Sequence, residues 1–321
     1  MWNQTGSSVE KISTERIDFL DRYYSISPFP FNEERLFTSI KAAGVTTPVR
    51  LEGSPGNFFR IVSGFKRVAV SLRLGIEWVP AIIQQKGTPL HTFRQAALEN
   101  FGTRDLHDLE KAEIIRKLVE IHLVAEAELL SLYLPSIGVK GTRYELERML
   151  SLAALGESLK RACITEGLLC SSALEIRAWP ETEQQLFVEQ VARLRLGTNK
   201  QKQLLRLLED LKKREKTSLA SLWCACGLDG DGTAELGFEE IHARLSRRRY
   251  PVLAGHEARW ESLKERLRLR GDIKLQVPRH FDGDRITITL SAADPAELRE
   301  KAEELLAAAD KKEMKEIFSL L

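Results

Sequence analysis

A glycine followed by two cations lies at the centre of the N-terminal third of the chain. Residues 58–62 are aromatic and β-branched and predict a short strand, which Gly64 interrupts. Lys66 and Arg67 follow at once, at the start of a helix predicted to end at Gly75. The free amides of a helix N-terminus and two cationic side chains are suited to binding phosphate. The alternative is structural, since strand–glycine–helix turns are common and cations near a helix start are often only solvated.

The neighbouring elements must position this turn. A helix capped by Asn32 is predicted to end at Gly44, and residues 45–51 predict a strand. Residues 78–83 predict another strand. Residues 90–100 predict a helix, and residues 105–134 predict further helical structure with an apolar stripe. Strands and helices are therefore mixed around the turn.

Three blocks of sequence, taken in order and spacing, resemble the N-terminal domain of the ParB family. They are an SIxxxGxxxP block beginning at Ser39, a GERR-type turn beginning at Gly64, and an ENxxR-type helix start beginning at Glu99. In that family the three blocks surround one nucleotide. The resemblance covers residues 14–125 and continues more weakly to about residue 215, so the last third of the chain is outside it.

The resemblance implies a site for CTP and Mg²⁺. The residues that it assigns to the cofactor are Gly64, Lys66, Arg67, Asn100 and Thr47. Glu99 and Asn100 would serve the metal, and magnesium does prefer oxygen ligands that it shares with phosphates. Glu99 would also be the catalytic residue of a weak CTPase. The structural alternative is that Glu99 and Asn100 only cap the end of the helix or lie there in contact with water.

The chain departs from the family pattern at several positions. They are Phe65 in place of the motif glutamate, Ala69 in place of an arginine, Gly102 and Thr103 in place of a glutamine and an arginine, and Arg104 one residue later. Two cations remain at the phosphate turn, but fewer polar side chains surround them than in the family pattern. Nucleotide binding is expected, while hydrolysis stays open. Two alternatives follow: a nuclease or phosphotransferase that uses Glu99 as a base, and a DNA-binding regulator that works without nucleotide.

A second functional region is predicted in the middle of the chain. Residues 126–134 and 142–152 predict two helices separated by a turn that contains Gly138, the layout of a helix-turn-helix. The ParB family carries its DNA-reading helix here. The side chains predicted to contact DNA are Lys140, Arg143, Tyr144 and Arg148. A helical hairpin without a DNA role fits the same pattern. The basic residues 187–216 predict a phosphate-contacting surface, a solvated helix face or a partner-binding face.

Composition limits the remaining classes of function. The chain has 321 residues, enough for two or three domains, and its net charge of +2 gives no global argument for nucleic-acid binding. Cys163, Cys170, Cys224 and Cys226 are too few and too irregular for a disulfide framework, and all lie beyond residue 160. A sulfiredoxin-like branch of the resembled domain needs a cysteine in the central turn, so the absence of one there argues against that activity. No apolar run approaches the length of a membrane span, which predicts a reducing cytoplasm.

The sequence thus predicts an α+β protein with three parts. They are a ParB-like nucleotide-binding domain at 14–125, an all-α helix-turn-helix domain at 126–216, and a small C-terminal α/β domain of unknown role at 217–321. In the last part, residues 273–277 and 285–290 predict strands and Asp294 is predicted to cap a helix. The leading hypothesis is a partition-type DNA-binding protein. It would be nucleoid-associated in the cytoplasm and homodimeric, with double-stranded DNA and a partition ATPase as partners and no membrane contact.

Overall fold

The computed structural model describes residues 8–27, 34–229, 235–278 and 281–321. Asn32, the predicted helix cap, lies outside these residues. The chain divides into two compact units, Met1–Thr198 and Asn199–Leu321. The first unit contains the region of the predicted nucleotide and DNA sites. The division into three domains, with boundaries after residues 125 and 216, stays a prediction.

The first unit combines a sheet with a series of helices. Its strands are β1 (Val9–Ser13), β2 (Ile17–Asp18), β3 (Val49–Ser54), β4 (Phe58–Ser63) and β5 (Trp78–Gln84). The helices among and after the strands are α1 (Glu34–Ala43), α2 (Phe65–Arg73), α3 (Pro89–Thr103) and α4 (Asp108–Glu120). The remaining helices are α5 (Glu126–Glu128), a π-helical turn at Leu129–Tyr133, α6 (Leu134–Ser136), α7 (Arg143–Ala153), α8 (Glu157–Thr165), α9 (Cys170–Ile176) and α10 (Glu181–Leu194).

The five strands form one mixed sheet in the order β1-β5-β3-β4-β2. β3 pairs antiparallel with β4 and parallel with β5, while β1 and β2 form the two edges. Apolar residues of the central strands form the core because alternate side chains along a strand point to the same face. Val49, Leu51 and Ile61 are fully buried there, and Val68 of α2 packs against them.

The predicted strand–glycine–helix arrangement is present, with shifted boundaries. α2 begins at Phe65, directly after Gly64, so Lys66 and Arg67 lie within its first turn. The helical prediction for residues 105–134 is wrong in its middle, because α4 ends at Glu120 and Leu123 adopts a left-handed φ of 51°. The apolar stripe does not show this break, since Leu123 carries no turn signal of the Gly or Pro type.

The two helices of the predicted helix-turn-helix are packed on the rest of the first unit. Gly138 has a φ of 71° and follows α6, and α7 begins five residues later, capped by the Thr142 hydroxyl, which accepts from the Glu145 amide. Met149 and Leu152 are fully buried on one face of α7. The first unit thus consists of a five-stranded sheet with helices, followed by a purely helical region. This confirms the predicted α+β fold class.

The second unit is also mixed. Its helices are α11 (Thr198–Glu215, whose first residue belongs to the first unit), α12 (Leu219–Ala225), α13 (Phe238–Arg249), α14 (Pro251–Leu267), α15 (Pro295–Ala309) and α16 (Lys312–Phe318). β6 (Ile273–Gln276) and β7 (Thr287–Leu290) form an antiparallel pair. Trp260, Leu263 and Ile317 belong to its core. Asp294 caps α15 as predicted, because its carboxylate accepts from the Glu297 amide at 2.8 Å.

None of the helices in the described parts of the chain combines the length and the apolar character that crossing a membrane requires.

Candidate functional site

Gly64 is the hinge between β4 and the cationic first turn of α2. Its φ of 103° lies in the left-handed region that favours glycine. A Cβ at this position would lie 2.8 Å from Val49 Cγ1 and 3.2 Å from Arg67 Nη2. Both the backbone conformation and the close approach of β3 therefore require glycine here.

A cavity of about 230 Å³ opens at this turn. It is lined by residues 24–27, Leu36, residues 62–67, Asn100, Arg104 and Glu110. Four of the predicted cofactor-binding residues are thus brought to one cavity: Gly64, Lys66, Arg67 and Asn100. Thr47 and Glu99 are not among its lining residues. The roles assigned to these six residues stay predictions.

Arg67 forms hydrogen bonds to the backbone before β3 at the edge of the cavity. Its Nη1 donates hydrogen bonds to the carbonyl oxygens of Thr47 and Pro48, at 2.5 and 2.6 Å. Burial lowers the pKa of Arg67. The side chain therefore ties α2 to the segment that enters β3. Thr47 takes part through its backbone carbonyl.

Glu99 and Asn100 are neighbours on α3 but have different surroundings. A Glu99 carboxylate oxygen forms an ion pair with Arg50 Nη1, and Arg50 Nη2 also donates to Gln84 Oε1 at 3.0 Å. Burial lowers the pKa of Arg50. Asn100 lines the cavity, and its Nδ2 donates to the Ala96 carbonyl at 2.8 Å. The structure thus places only one of the two predicted metal ligands at the cavity.

Arg104 and Glu110 add an ion pair to the cavity wall. Arg104 Nη1 and Nη2 each lie 2.6 Å from one Glu110 oxygen. Glu110 is 1% exposed and also accepts from the His107 amide at 3.1 Å. These hydrogen bonds raise the pKa of Arg104. From the sequence, Arg104 was recognised only as a motif arginine displaced by one residue. Its partner could have been found from Glu110, because a glutamate three residues after a helix cap, here His107, is typical of a capping box.

Phe65, the residue in place of the motif glutamate, makes an aromatic contact instead of polar ones. The Arg22 guanidinium lies 5.1 Å from the centre of the Phe65 ring, within cation–π range. Arg22 Nη2 also donates to the Ser27 carbonyl at 3.3 Å. A further cation, beside Lys66, Arg67 and Arg104, thus lies close to the cavity in the segment before α1, and no sequence motif indicated it.

Lys117 of α4 holds the wall segment 22–25 in place. Its Nζ donates to the carbonyl oxygens of Arg22, Tyr23 and Ser25, at 2.6, 3.1 and 2.7 Å. The side chain is only 4% exposed. The loss of water outweighs the charge of nearby Glu113 and lowers the pKa of Lys117 to about 8. This lysine is a support for the cavity, and the sequence alone did not single it out.

The predicted DNA-contacting residues fall into two groups. Lys140, Arg143 and Tyr144 are exposed, with Tyr144 at 72%. Arg148 instead lies among carboxylates, since its Nε donates to Glu145 and both Nη atoms donate to Asp108 at 3.2 Å. Arg148 therefore joins α7 to the first residue of α4. The DNA role of all four residues stays a prediction.

Some basic side chains of helix α11 in the second unit form hydrogen bonds within that unit. Arg214 donates to the carbonyl oxygens of Arg248 and Arg249, both at 2.5 Å, and Arg248 pairs with Glu215. Lys202 and Arg206 lie on the exposed face of the helix. In the described residues, fewer basic side chains of α11 are therefore available to a partner than the basic residues 187–216 of the sequence suggest.

Comparisons with known proteins bear on the first unit. Residues 4–101 match the family model of the ParB N-terminal domain. The chain is 29% identical over 189 residues to the chromosome-partitioning protein ParB of Myxococcus xanthus (strain DK1622), covering 58% of this chain and 61% of that protein. It is 25% identical over 185 residues to the nucleoid occlusion protein of Bacillus cytotoxicus, covering 57% and 61%. The aligned part spans less than two thirds of each relative.

Two similar solved structures are of the C-terminally truncated ParB from Caulobacter crescentus. The complex with the centromeric parS site has 20% sequence identity and a TM-score of 0.34, and the match covers 61% of this chain and 98% of that one. The complex with CTP-γ-S has 21% identity and a TM-score of 0.28, with coverage of 57% and 98%. Because these TM-scores are low, the assignment rests on the sequence matches. The resemblance to the ParB family is confirmed for the N-terminal part of the chain, which matches the ParB N-terminal domain and is similar in sequence to ParB and nucleoid occlusion proteins.

Proposed function

We propose that this protein binds CTP with Mg²⁺ in its N-terminal domain and binds double-stranded DNA through α7, as a chromosome-partition protein. The observation that supports nucleotide binding most directly is the convergence of Gly64, Lys66, Asn100 and Arg104 on one cavity. The family resemblance indicates CTP as the nucleotide. The match to a chromosome-partitioning protein supports the cellular role.

The cavity has the chemistry of a phosphate site. Residues 64–67, which form the Gly64 turn and the first turn of α2, line the cavity, and a helix N-terminus favours anions. Lys66 adds a charge within the first helical turn, and Arg104 adds a guanidinium that buried Glu110 orients. An oriented guanidinium binds phosphate oxygens with defined geometry, whereas a lysine acts as a point charge. The triphosphate is therefore the part of the nucleotide that this cavity would hold.

The residues present fit a magnesium ion that arrives with the nucleotide. Within the described residues, no three His, Cys, Asp or Glu side chains group as metal ligands. Asn100 lines the cavity, and Glu99 beside it is paired with Arg50. Magnesium commonly keeps several waters and takes further ligands from phosphates. Of the two residues, Asn100 lies where it would add to those ligands when phosphates are bound.

DNA binding is proposed for the exposed start of α7. Arg143 is 74% exposed and could contact phosphates, while Tyr144 offers a large surface beside it. Lys140 lies in the preceding turn. Homodimer formation, a partition ATPase partner and work at the nucleoid in the cytoplasm belong to the same proposal, by family resemblance.

Calorimetric titration with CTP, ATP and GTP in the presence of magnesium tests the nucleotide site. We expect micromolar binding of CTP, weakened at least about tenfold in Lys66→Ala, because a hydrogen bond to a charged group contributes about 1.5–3 kcal/mol. Lys41→Ala is the matched control, since Lys41 is an exposed lysine of α1 outside the cavity. Folded wild-type protein that gives no heat with any of the three nucleotides would contradict the proposal. Failure to bind duplex DNA at modest salt would contradict its DNA part separately.

A further inference from the structure

The cavity wall formed by residues 24–27 begins in a turn that is tied to α4 by a buried lysine. Lys117 Nζ donates to the carbonyl oxygens of Arg22, Tyr23 and Ser25, at 2.6, 3.1 and 2.7 Å. An ammonium has three N–H donors, so each of them serves one carbonyl. The carbonyls converge because the chain turns there, with the Ser25 amide donating to the Arg22 carbonyl at 3.0 Å. The ammonium therefore fixes the start of this wall.

The same helix also holds a second part of the cavity wall. Glu110, seven residues before Lys117, orients Arg104 through two hydrogen bonds of 2.6 Å. Residues seven apart lie close to one face of an α-helix, because two turns take about seven residues. Glu110 is 1% exposed and Lys117 is 4% exposed. Helix α4 thus positions two parts of the wall, one through a buried carboxylate and one through a buried ammonium.

We propose that Lys117 is a positioning residue of the nucleotide site, and that its ammonium form holds residues 24–27 in the arrangement that binds the nucleotide. This inference rests on the nucleotide binding proposed above. Lys117 is not among the residues that line the cavity. It therefore acts through the backbone of the wall, whereas Lys66 and Arg104 line the cavity themselves.

Loss of the Lys117 proton removes one of the three hydrogen bonds. A neutral amine keeps two N–H donors and has a lone pair in place of the third, which repels a carbonyl oxygen that it faces. Burial, with the charges of Arg116 and Arg22, lowers the pKa of Lys117 to about 8, against the charges of Glu113 and Asp21. The wall therefore loses a hydrogen bond in mildly alkaline solution.

Stability and nucleotide affinity should then depend on pH in opposite directions. Above pH 8 the fold becomes more stable, because the buried charge of Lys117 is lost, while nucleotide binding weakens with the wall. Two titratable neighbours keep their charge over this range. Burial and the charge of Lys117 lower the pKa of His122, so it is neutral above pH 7. Burial and the charge of Glu52 raise the pKa of Tyr24 to about 12.

Calorimetric titration of the full chain with CTP and magnesium, from pH 7 to about pH 9.5, tests the inference. For the wild type we expect the affinity to fall about fivefold or more around pH 8, because one hydrogen bond is lost. Lys117→Met should bind CTP about fivefold or more weakly than the wild type at pH 7 and should lack this fall. Lys86→Met is the matched control, since Lys86 is exposed and lies outside the cavity. It should keep the wild-type profile.

Three outcomes would count against the inference. A wild-type affinity that stays constant over this pH range overturns it without any variant, so the test does not depend on whether Lys117→Met folds. An equal fall in the wild type and in folded Lys117→Met overturns it as well, since another group would then be titrating. Wild-type protein that binds no nucleotide at pH 7 contradicts the proposed function itself, and the inference with it.

Discussion

Arg104 and Glu110 form a two-pronged ion pair across the start of α4, with both N–O distances at 2.6 Å. Glu110 is buried and also receives the His107 amide, so one carboxylate both caps the helix and orients the guanidinium at the cavity. Asp108, two residues before Glu110, pairs with Arg148 of α7. The N-terminus of α4 thus connects the candidate nucleotide cavity with the helix proposed to bind DNA.

Replacing Arg104 should destabilise the first unit. Arg104→Met leaves the Glu110 carboxylate buried without its partner, and we expect a loss of about 2 kcal/mol in the free energy of unfolding, less than for a fully buried pair because Arg104 is 37% exposed. Urea denaturation measures this, with exposed Lys86→Met as control. In a double-mutant cycle with Glu110→Gln, a coupling near zero would show that the pair does not stabilise the fold.

Comparing alanine substitutions at Gly64 and Gly75 distinguishes two contributions to the loss of stability, a steric clash and an unfavourable backbone conformation. Gly64→Ala should cost about 3 kcal/mol, since a left-handed φ and a 2.8 Å contact with Val49 act together. Gly75→Ala is the control, because Gly75 also has a positive φ, of 68°, but its Cβ would meet no atom within 4 Å. We expect about 1 kcal/mol there. Equal losses in chemical denaturation would show that the approach of β3 has no role.

Lys117 should make stability depend on pH in alkaline solution. Its pKa is about 8 in the folded chain and near 10.5 when unfolded, so between these values the unfolded state binds more protons. Stability therefore rises with pH from 8 to 10.5, by up to about 3 kcal/mol. The difference in unfolding free energy between wild type and Lys117→Met, measured from pH 7 to 10.5, isolates this contribution from other titrating groups. A flat difference would contradict the lowered pKa.

The residues of α7 should have separable effects. Arg143→Ala should weaken binding to duplex DNA and reduce the dependence of log affinity on log salt by about 1, with little change in stability, because the side chain is exposed. Arg148→Ala should lower stability, since it breaks the contacts with Asp108 and Glu145. Fluorescence anisotropy and thermal unfolding on both variants distinguish these roles. Unchanged DNA affinity in Arg143→Ala would place the DNA surface elsewhere.

Much of the candidate site could be predicted because its signals are local. The β-branched strand, Gly64 and the two cations that follow are consecutive in sequence, and the structure confirms the strand, the turn and the helix. The capping of α15 by Asp294 was predicted for the same reason. The break after α4 was not, because a left-handed Leu123 has no composition signal.

The sequence by itself determined the order of the elements from α1 to α3, the glycine turn and the resemblance of the N-terminal domain to the ParB family, since these depend on residue types at short spacing. Only the tertiary structure decided which motif side chains face the cavity. Neighbouring residues on a helix point about 100° apart, so the packing of α3 places Asn100 at the cavity while Glu99 pairs with Arg50. It also decided that Arg104 lies with buried Glu110, and Arg148 with Asp108. Such pairings join separate elements, and their geometry exists only once those elements pack together.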